Sequence, residues 1–267
     1  CNLYPFSDVI SREDCNVNLA LDNIDIGGPT MIRSAAKNVG WVCVVVDPLD
    51  YTIIINELIN NSAISYETRK HLSAKAFGHT AQYDSIIHDY FKDEQLSDNL
   101  TLTYKKKSNL RYGENPHQSA SSYKIINNNE PNILNAIIHQ GKELSYNNIM
   151  DADGALACLK EFDEPACVIV KHSNPCGVSV GKDILKIYDR AFNADSISAF
   201  GGIVAFNRTC TEDVAEAISK VFVEIVLAPK FDKNSLEIFK NKKNLRVLEI
   251  GEIRKRAHKL EVRNIDG

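Results

Sequence analysis

Apolar positions along the chain fall into two regimes. Up to about residue 91 the dominant spacing is helical: residues 50–60 and 66–91 carry apolar side chains three and four apart. Gly78 lies inside the longer stretch and marks a possible kink or break. Between them and the preceding segment, Trp41-Val-Cys-Val-Val-Val46 is an unbroken β-branched run, which predicts a buried parallel strand. Extended patterns recur at residues 102–104 and 119–126. From there helix and strand patterns alternate: helix at 148–162, strand at 166–171, helix at 182–192, strand at 202–206, helix at 211–221. A strand at 223–227, a helix at 233–243 and a strand at 245–250 complete the run. Such alternation predicts α/β layers built from parallel strands. The polar stretch 92–109 lacks a helical apolar face, and a junction is expected near residue 100.

Length and composition narrow the class. At roughly 150 residues per domain, 267 residues suggest two domains or one large one. With 44% apolar and 25% charged residues the chain reads as globular, not disordered. Its net charge of −4 is not that of a polybasic nucleic-acid binder, so no nucleic-acid partner is expected. No apolar run approaches the roughly 18 residues of a membrane span, so no membrane partner is expected either. Seven cysteines, an odd number without a C-x-x-C pair, fit reduced thiols in a cytoplasmic protein better than a disulfide framework or a zinc site. The chain opens at Cys1 straight into a hydrophobic run without a basic leader, which reads as a fragment cut inside a domain.

Five segments could carry chemistry. Ile24-Asp25-Ile-Gly27-Gly28-Pro-Thr30 leads into a helix whose first N–H groups would face an anion or a developing oxyanion, with Lys37 about two turns on. The same residues also suit a plain strand-to-helix turn with a cap and a solvated lysine. Leu110-Arg111-Tyr112-Gly113-Glu-Asn-Pro-His-Gln118 is dense in phosphate-binding and polar groups, Arg111 offering a planar fork; surface pairing of Arg111 in a punctuated loop is the plainer alternative. Cys167-Val-Ile-Val-Lys171-His172-Ser-Asn-Pro-Cys-Gly177 delivers lysine and histidine to a strand's carboxyl end, where α/β sheets hold ligands. Cys176 lacks a base and orienter nearby in sequence and reads as a passive thiol. Around Phe200-Gly201-Gly202 the glycines allow close approach, and the Phe200 ring could cover a flat heterocycle. Glu224 sits in an apolar strand and, if buried, needs a partner. P-loop, dinucleotide, zinc-peptidase, nucleophile-elbow and zinc-deaminase signatures are absent from the sequence.

Together with Asn2-Leu-Tyr4-Pro-Phe6, Ala35-Ala-Lys37-Asn38, Ser145-Tyr-Asn-Asn148 and Ser198-Ala-Phe200-Gly201-Gly202, these segments occur in one order over nearly the whole chain. That ordered set resembles the bifunctional purine-biosynthesis family, phosphoribosylaminoimidazolecarboxamide formyltransferase and IMP cyclohydrolase, in its bacterial form. The resemblance implies an internal fragment. Residues 1–100 would be the carboxyl-terminal part of a methylglyoxal-synthase-like cyclohydrolase domain. Residues 101–267 would be the amino-terminal part of a cytidine-deaminase-like α/β transformylase domain without zinc or other metal. It further implies the last two steps of de novo purine synthesis, with 10-formyltetrahydrofolate as cosubstrate, in a cytoplasmic homodimer. Tyr4, Asp25 and Lys37 resemble ring-closure residues, with Asn2, Gly27 and Gly28 binding substrate. Lys171 and His172 resemble the formyl-transfer pair, the histidine as base, and Arg111, Tyr112, Asn148, Phe200, Gly201 and Glu224 resemble nucleotide-binding positions. The fragment alone is expected to catalyse neither reaction. Two other readings remain open: a non-catalytic remnant that binds nucleotide or dimerises, and a standalone nucleotide-binding module of similar fold.

Overall fold

The computed structural model describes the chain except residues 95, 127–129, 254–261 and 263–267. It divides into two compact units, Cys1–Tyr104 with Ile125–Asn127, and Lys105–Lys124 with Asn128–Gly267.

The described part of the first unit is helical: α1 (Phe6–Ile10), α2 (Val17–Asp22), α3 (Gly27–Lys37), α4 (Tyr51–Asn61) and α5 (Tyr66–Phe91). Ser65 starts α5 by accepting a hydrogen bond from the Thr68 N–H. The buried side chains Thr68, Leu72, Ala76, Thr80 and Tyr83 then recur at helical spacing and form its inward stripe. No break occurs at Gly78. That glycine faces open space, and its cost of about 1 kcal/mol against alanine is met by the stripe continuing on either side. Ile32 and Ala36 of α3 pack with Ala76 of α5 and with Val44 and Val46.

The strand expected at residues 41–46 does not form among the described residues. Val44 and Val46 turn inward, but Trp41 is 92% exposed. A strand requires a ladder partner, and the other described elements of this unit are helices. The pattern records a one-sided apolar segment, not one buried on both faces.

The second unit is built on a sheet. After the hairpin β1 (Tyr104–Leu110) and β2 (Ala120–Ile125) come β3 (Ile137–Gln140), α6 (Tyr146–Leu159), β4 (Ala166–Lys171), β5 (Asn174–Val180), α7 (Ile184–Ala194) and α8 (Ser196–Ala199). Then follow β6 (Ile203–Phe206), α9 (Glu212–Ser219), β7 (Ile225–Ala228), α10 (Lys233–Phe239) and β8 (Arg246–Glu249). The strand first expected at 102–104 therefore begins at its last residue. Strand order is β3-β8-β7-β6-β4-β5. β6, β7 and β8 are parallel, with α9 and α10 as crossovers, but β4 runs antiparallel to both β5 and β6, and β3 antiparallel to β8. The expectation of parallel strands is corrected to a mixed sheet. The cause is local: Lys171 pairs with Asn174, so β4 reverses within two residues and never reaches a crossover helix.

Both faces of the sheet are covered. Cys167, Ile169, Val204, Phe206 and Val226 pack with Ile187, Tyr188 and Ala191 of α7 and with α9 on one side. Val168, Val170, Ile203, Ala205 and Leu227 pack with Ala152, Ala155, Leu156 and Leu159 of α6 on the other. Each fully buried Val, Leu or Ile contributes about 1.5–3 kcal/mol, which makes the central strands a rigid floor for whatever sits at their ends. All seven cysteines are free thiols, and burial pushes the Cys167 and Cys210 thiols up, away from thiolate chemistry.

Candidate functional site

The mixed topology decides where the site lies. Because β4 opposes β6, the carboxyl end of β4 lies beside the amino ends of β6, β7 and β8. Lys171 and His172 therefore meet Gly201, Glu224 and Arg246 at one edge of the sheet. Together with Arg111, Tyr112, Asn148, Asp151 and Phe222 these residues line a cleft of about 1150 Å³ in the second unit. The expectation of ligands at strand carboxyl ends applies only to β4 here; the other strands contribute their beginnings.

Short contacts hold Lys171 and the turn beside it. Lys171 Nζ donates to the Phe200 carbonyl at 2.6 Å. Gly201 is left-handed (φ +70°), a conformation that strains any residue with a Cβ, and a Cβ there would also crowd Lys171 Nζ and the Phe222 ring at 3.2 Å. The Gly201 N–H donates to the Phe222 carbonyl at 2.8 Å. The Phe200 and Phe222 rings tilt against each other with centroids 5.4 Å apart; Phe222 lines the cleft and Phe200 stands just outside its lining, more than half exposed.

Glu224 lies one residue before β7 and is not buried: its side chain is 43% exposed. Its partners are Asn148 Nδ2, which donates to Oε2 at 2.8 Å, and the Arg246 guanidinium at 3.9 Å. Asn148 itself begins α6 in a reciprocal cap with Ser145, donating its N–H to Ser145 Oγ and accepting the Ser145 N–H on Oδ1.

Arg111 sits where β1 ends, its guanidinium 5.6 Å over the Tyr112 ring. The loop beyond closes on itself, with Gly113 N–H donating to the Gln118 carbonyl and Asn115 N–H to Gln118 Oε1. Glu114 and His117 stay out of the cleft lining. Around the cleft, Lys107, Arg111, Lys142, Lys171 and Arg246 outnumber the carboxylates Glu143, Asp151 and Glu224, which favours an anionic ligand. Asp151, Phe222 and Arg246 were not singled out as site residues from sequence. Arg246 had one usable signal, a cation at the start of a predicted strand; Asp151 had none beyond lying near Asn148.

The first unit gathers its predicted residues less completely. Asp25 Oδ1 accepts the Gly28 N–H at 2.7 Å, and Oδ2 accepts the Tyr4 N–H at 3.3 Å, so the carboxylate serves the α3 amino terminus as a cap. The Asp25 N–H in turn donates to the Tyr83 hydroxyl at 2.8 Å. Asn2 and Tyr4 line a small pocket of about 260 Å³ with His79, Gln82 and Tyr83. Gly27 is exposed at the helix start. Lys37 is the last residue of α3, about 15 Å along the axis from Gly27 at 1.5 Å per residue; the fold does not bring it to the Asp25–Gly28 turn.

Among the described residues, no group of three or more His, Cys, Asp or Glu side chains is arranged to hold a metal, and no helix is long and apolar enough to cross a membrane.

The second unit thus defines an α/β protein with a preformed cationic cleft for a small ligand. The chain belongs to the AICARFT/IMPCHase bienzyme family, whose sequence model matches residues 35–267. Among its relatives, the bifunctional purine biosynthesis protein PurH of Bacillus cereus (strain ATCC 10987 / NRS 248) is 52% identical over 252 residues, 93% of this chain and 49% of the relative. PurH of Caldicellulosiruptor saccharolyticus is 47% identical over 272 residues, 100% of this chain and 53% of the relative. The chain therefore spans about half the length of the relatives it matches. A solved structure of Acinetobacter baumannii RibD (form 2) aligns over 37% of this chain and 33% of its own, at 19% identity and a TM-score of 0.28, too low to carry an argument.

Proposed function

We propose that the chain serves the last two steps of de novo purine synthesis. Residues 101–267 take part in formyl transfer from 10-formyltetrahydrofolate to the 5-amino group of the imidazole carboxamide ribotide. Residues 1–100 take part in ring closure of the formylated product to IMP. The observation that carries this reading is the convergence of Arg111, Tyr112, Asn148, Lys171, His172, Gly201 and Glu224, from segments far apart in sequence, on one cleft.

In formyl transfer the ribotide amine attacks the formyl carbon, His172 accepts the amine proton, and the bond from that carbon to folate N10 breaks as N10 takes up a proton. The Lys171 ammonium balances the tetrahedral oxyanion or supplies the proton to N10. Arg111 suits the ribotide phosphate, Asn148 and Glu224 the polar edge of the base, and the Phe200 ring a flat heterocycle. In ring closure the carboxamide nitrogen attacks the formyl carbon and water is lost. The Gly27–Gly28 helix start binds the formyl oxygen, Asn2 and Tyr4 contact substrate, and Asp25 manages a proton at that turn; Lys37, at the far end of α3, is assigned a proton-handling role on the family resemblance alone.

Resemblance to the family supports the finer fold reading: a methylglyoxal-synthase-like first unit and a cytidine-deaminase-like second unit, in a cytoplasmic homodimer. The test is His172→Ala in the complete gene product, with both half-reactions assayed. Loss of formyl transfer with ring closure intact supports the assignment; loss of both in a folded protein, or of neither, sinks it.

A further inference from the structure

Between β4 and β5 the chain reverses through His172 and Ser173 alone, both left-handed at φ +53° and +59°. A two-residue hairpin loop with both residues at positive φ normally uses Asn-Gly or Gly-Gly, because a Cβ strains that conformation. Only one other described non-glycine residue, Ser62, has positive φ. The surroundings must therefore impose the turn.

The neighbouring helix α6 supplies the restraint. Asp151 Oδ1 accepts both the Ser173 N–H at 2.8 Å and the Ser173 hydroxyl at 3.1 Å. Three residues on, along the same helix face, Gly154 has no side chain, and a Cβ there would stand 3.2 Å from the Ser173 carbonyl oxygen. One position lets the helix approach the turn and the other grips it. Asn174 adds a latch on the far side, its Nδ2 donating to the His172 carbonyl at 2.8 Å. The helix is anchored by its own Ser145–Asn148 cap.

We propose that Asp151 is a positioning residue for formyl transfer: it clamps Ser173 and thereby fixes the strained backbone that presents His172 to the cleft. This rests on reading His172 as the base. The clamp needs an acceptor atom and not a negative charge, which separates it from a direct acid–base role for Asp151.

The experiment compares Asp151→Ala, Asp151→Asn and the double variant Asp151→Ala/Ser173→Gly in the complete gene product. Formyl-transfer kcat and ribotide KM are measured with backbone amide exchange at Ser173, and thermal unfolding of each variant checks that the second unit is folded. Asp151→Ala is expected to lower kcat about 10- to 100-fold, the cost of misplacing a catalytic group, with KM nearly unchanged and exchange at Ser173 faster. Asp151→Asn keeps an acceptor and should stay close to the parent protein. Ser173→Gly should return much of the lost kcat, because glycine adopts the turn without restraint. An unchanged kcat in Asp151→Ala overturns the proposal, as does equal damage from Asp151→Asn, or a double variant that regains thermal stability without kcat. An active His172→Ala protein overturns the base reading and the proposal with it. An inactive His172→Ala beside a fully active Asp151→Ala overturns the positioning role alone.

Discussion

Asn148 and Glu224, 76 positions apart, are joined by a 2.8 Å hydrogen bond from the Asn148 amide to Glu224 Oε2. The direction of that bond is imposed by the helix cap: Asn148 Oδ1 already accepts the Ser145 N–H, which turns the NH₂ group toward Glu224. One side chain thus starts α6 and braces the approach to β7, and the Arg246 backbone N–H donates to the Glu224 carbonyl at 3.0 Å. Cleft geometry and helix initiation are therefore coupled.

That coupling predicts an asymmetric result for Asn148→Asp. The cap acceptor is kept, but the donor facing Glu224 becomes a second carboxylate. Stability should fall by about 1–3 kcal/mol, as for an unmade polar contact, and ribotide KM should rise. The repulsion raises a carboxylate pKa, so the deficit is present at neutral pH and shrinks as pH falls and one group takes a proton. Thermal unfolding of parent and variant at pH 5 and pH 8 checks this; a deficit that grows on acidification rejects it.

The two glycines before α3 should behave differently despite their adjacency. A Cβ at Gly28 would lie 2.6 Å from Asp25 Oδ2 and 2.7 Å from Leu3 Cδ2, whereas at Gly27 nothing lies within 4 Å. Gly28→Ala is expected to cost about 1–3 kcal/mol through overpacking and to disturb the Asp25 cap. Gly27→Ala should be neutral to stabilising by up to about 1 kcal/mol, since its Cβ meets nothing and alanine is the better helix former. Urea unfolding of both variants decides it, and equal effects would mean the turn relaxes freely.

Much of the second unit was legible from residue 146 onward, because β4, β6, β7 and β8 are short apolar runs between helical stretches. β5 was not. It contains Asn174, Pro175 and Gly177, which read as loop, and it tolerates them as an edge strand whose pairing shifts beside Ile169 and Val170. Strand direction was equally hidden, since a left-handed His172-Ser173 turn has no glycine to announce it. Residues 41–46 misled for the converse reason: β-branched content signals an extended segment but not a pairing partner. For the candidate site, sequence yielded Lys171, His172, Arg111 and Asn148 as separate motifs. Their meeting depends on β4 running against β6, which no local pattern encodes. Lys37 lies where its spacing put it, on the helix that Gly27 starts and in that helix's last turn.

Lys37 gives a direct test of the ring-closure assignment. It is exposed at the end of α3. If it acts in ring closure as proposed, Lys37→Ala should slow conversion of the formylated intermediate on the order of 10²-fold while formyl transfer stays intact. Normal conversion would make it a cation that complements the helix carboxyl terminus, as its place in the fold already permits.

The last prediction concerns acid stability. His79 lies on α5 beside the pocket lined by Asn2 and Tyr4, and its Nε2 is buried without a hydrogen-bond partner. Burial lowers its pKa below the ordinary value of 6.5, and the nearby Asp47 carboxylate opposes this only in part. Folded protein therefore keeps the ring neutral where the unfolded chain accepts a proton. The stability tied to His79 is complete above pH 6.5 and is lost progressively as pH falls from there through the lower folded value. His79→Gln removes the titration, so its loss of Tm between pH 7.5 and pH 5.5 should be smaller than that of the parent. Weakening the opposing charge with Asp47→Asn should enlarge the loss, because the folded-state pKa then falls further. Matched unfolding scans of the three proteins at both pH values supply the comparison. Parallel losses in the parent and His79→Gln would show that the ring charges as readily inside the fold as outside it, contrary to its burial.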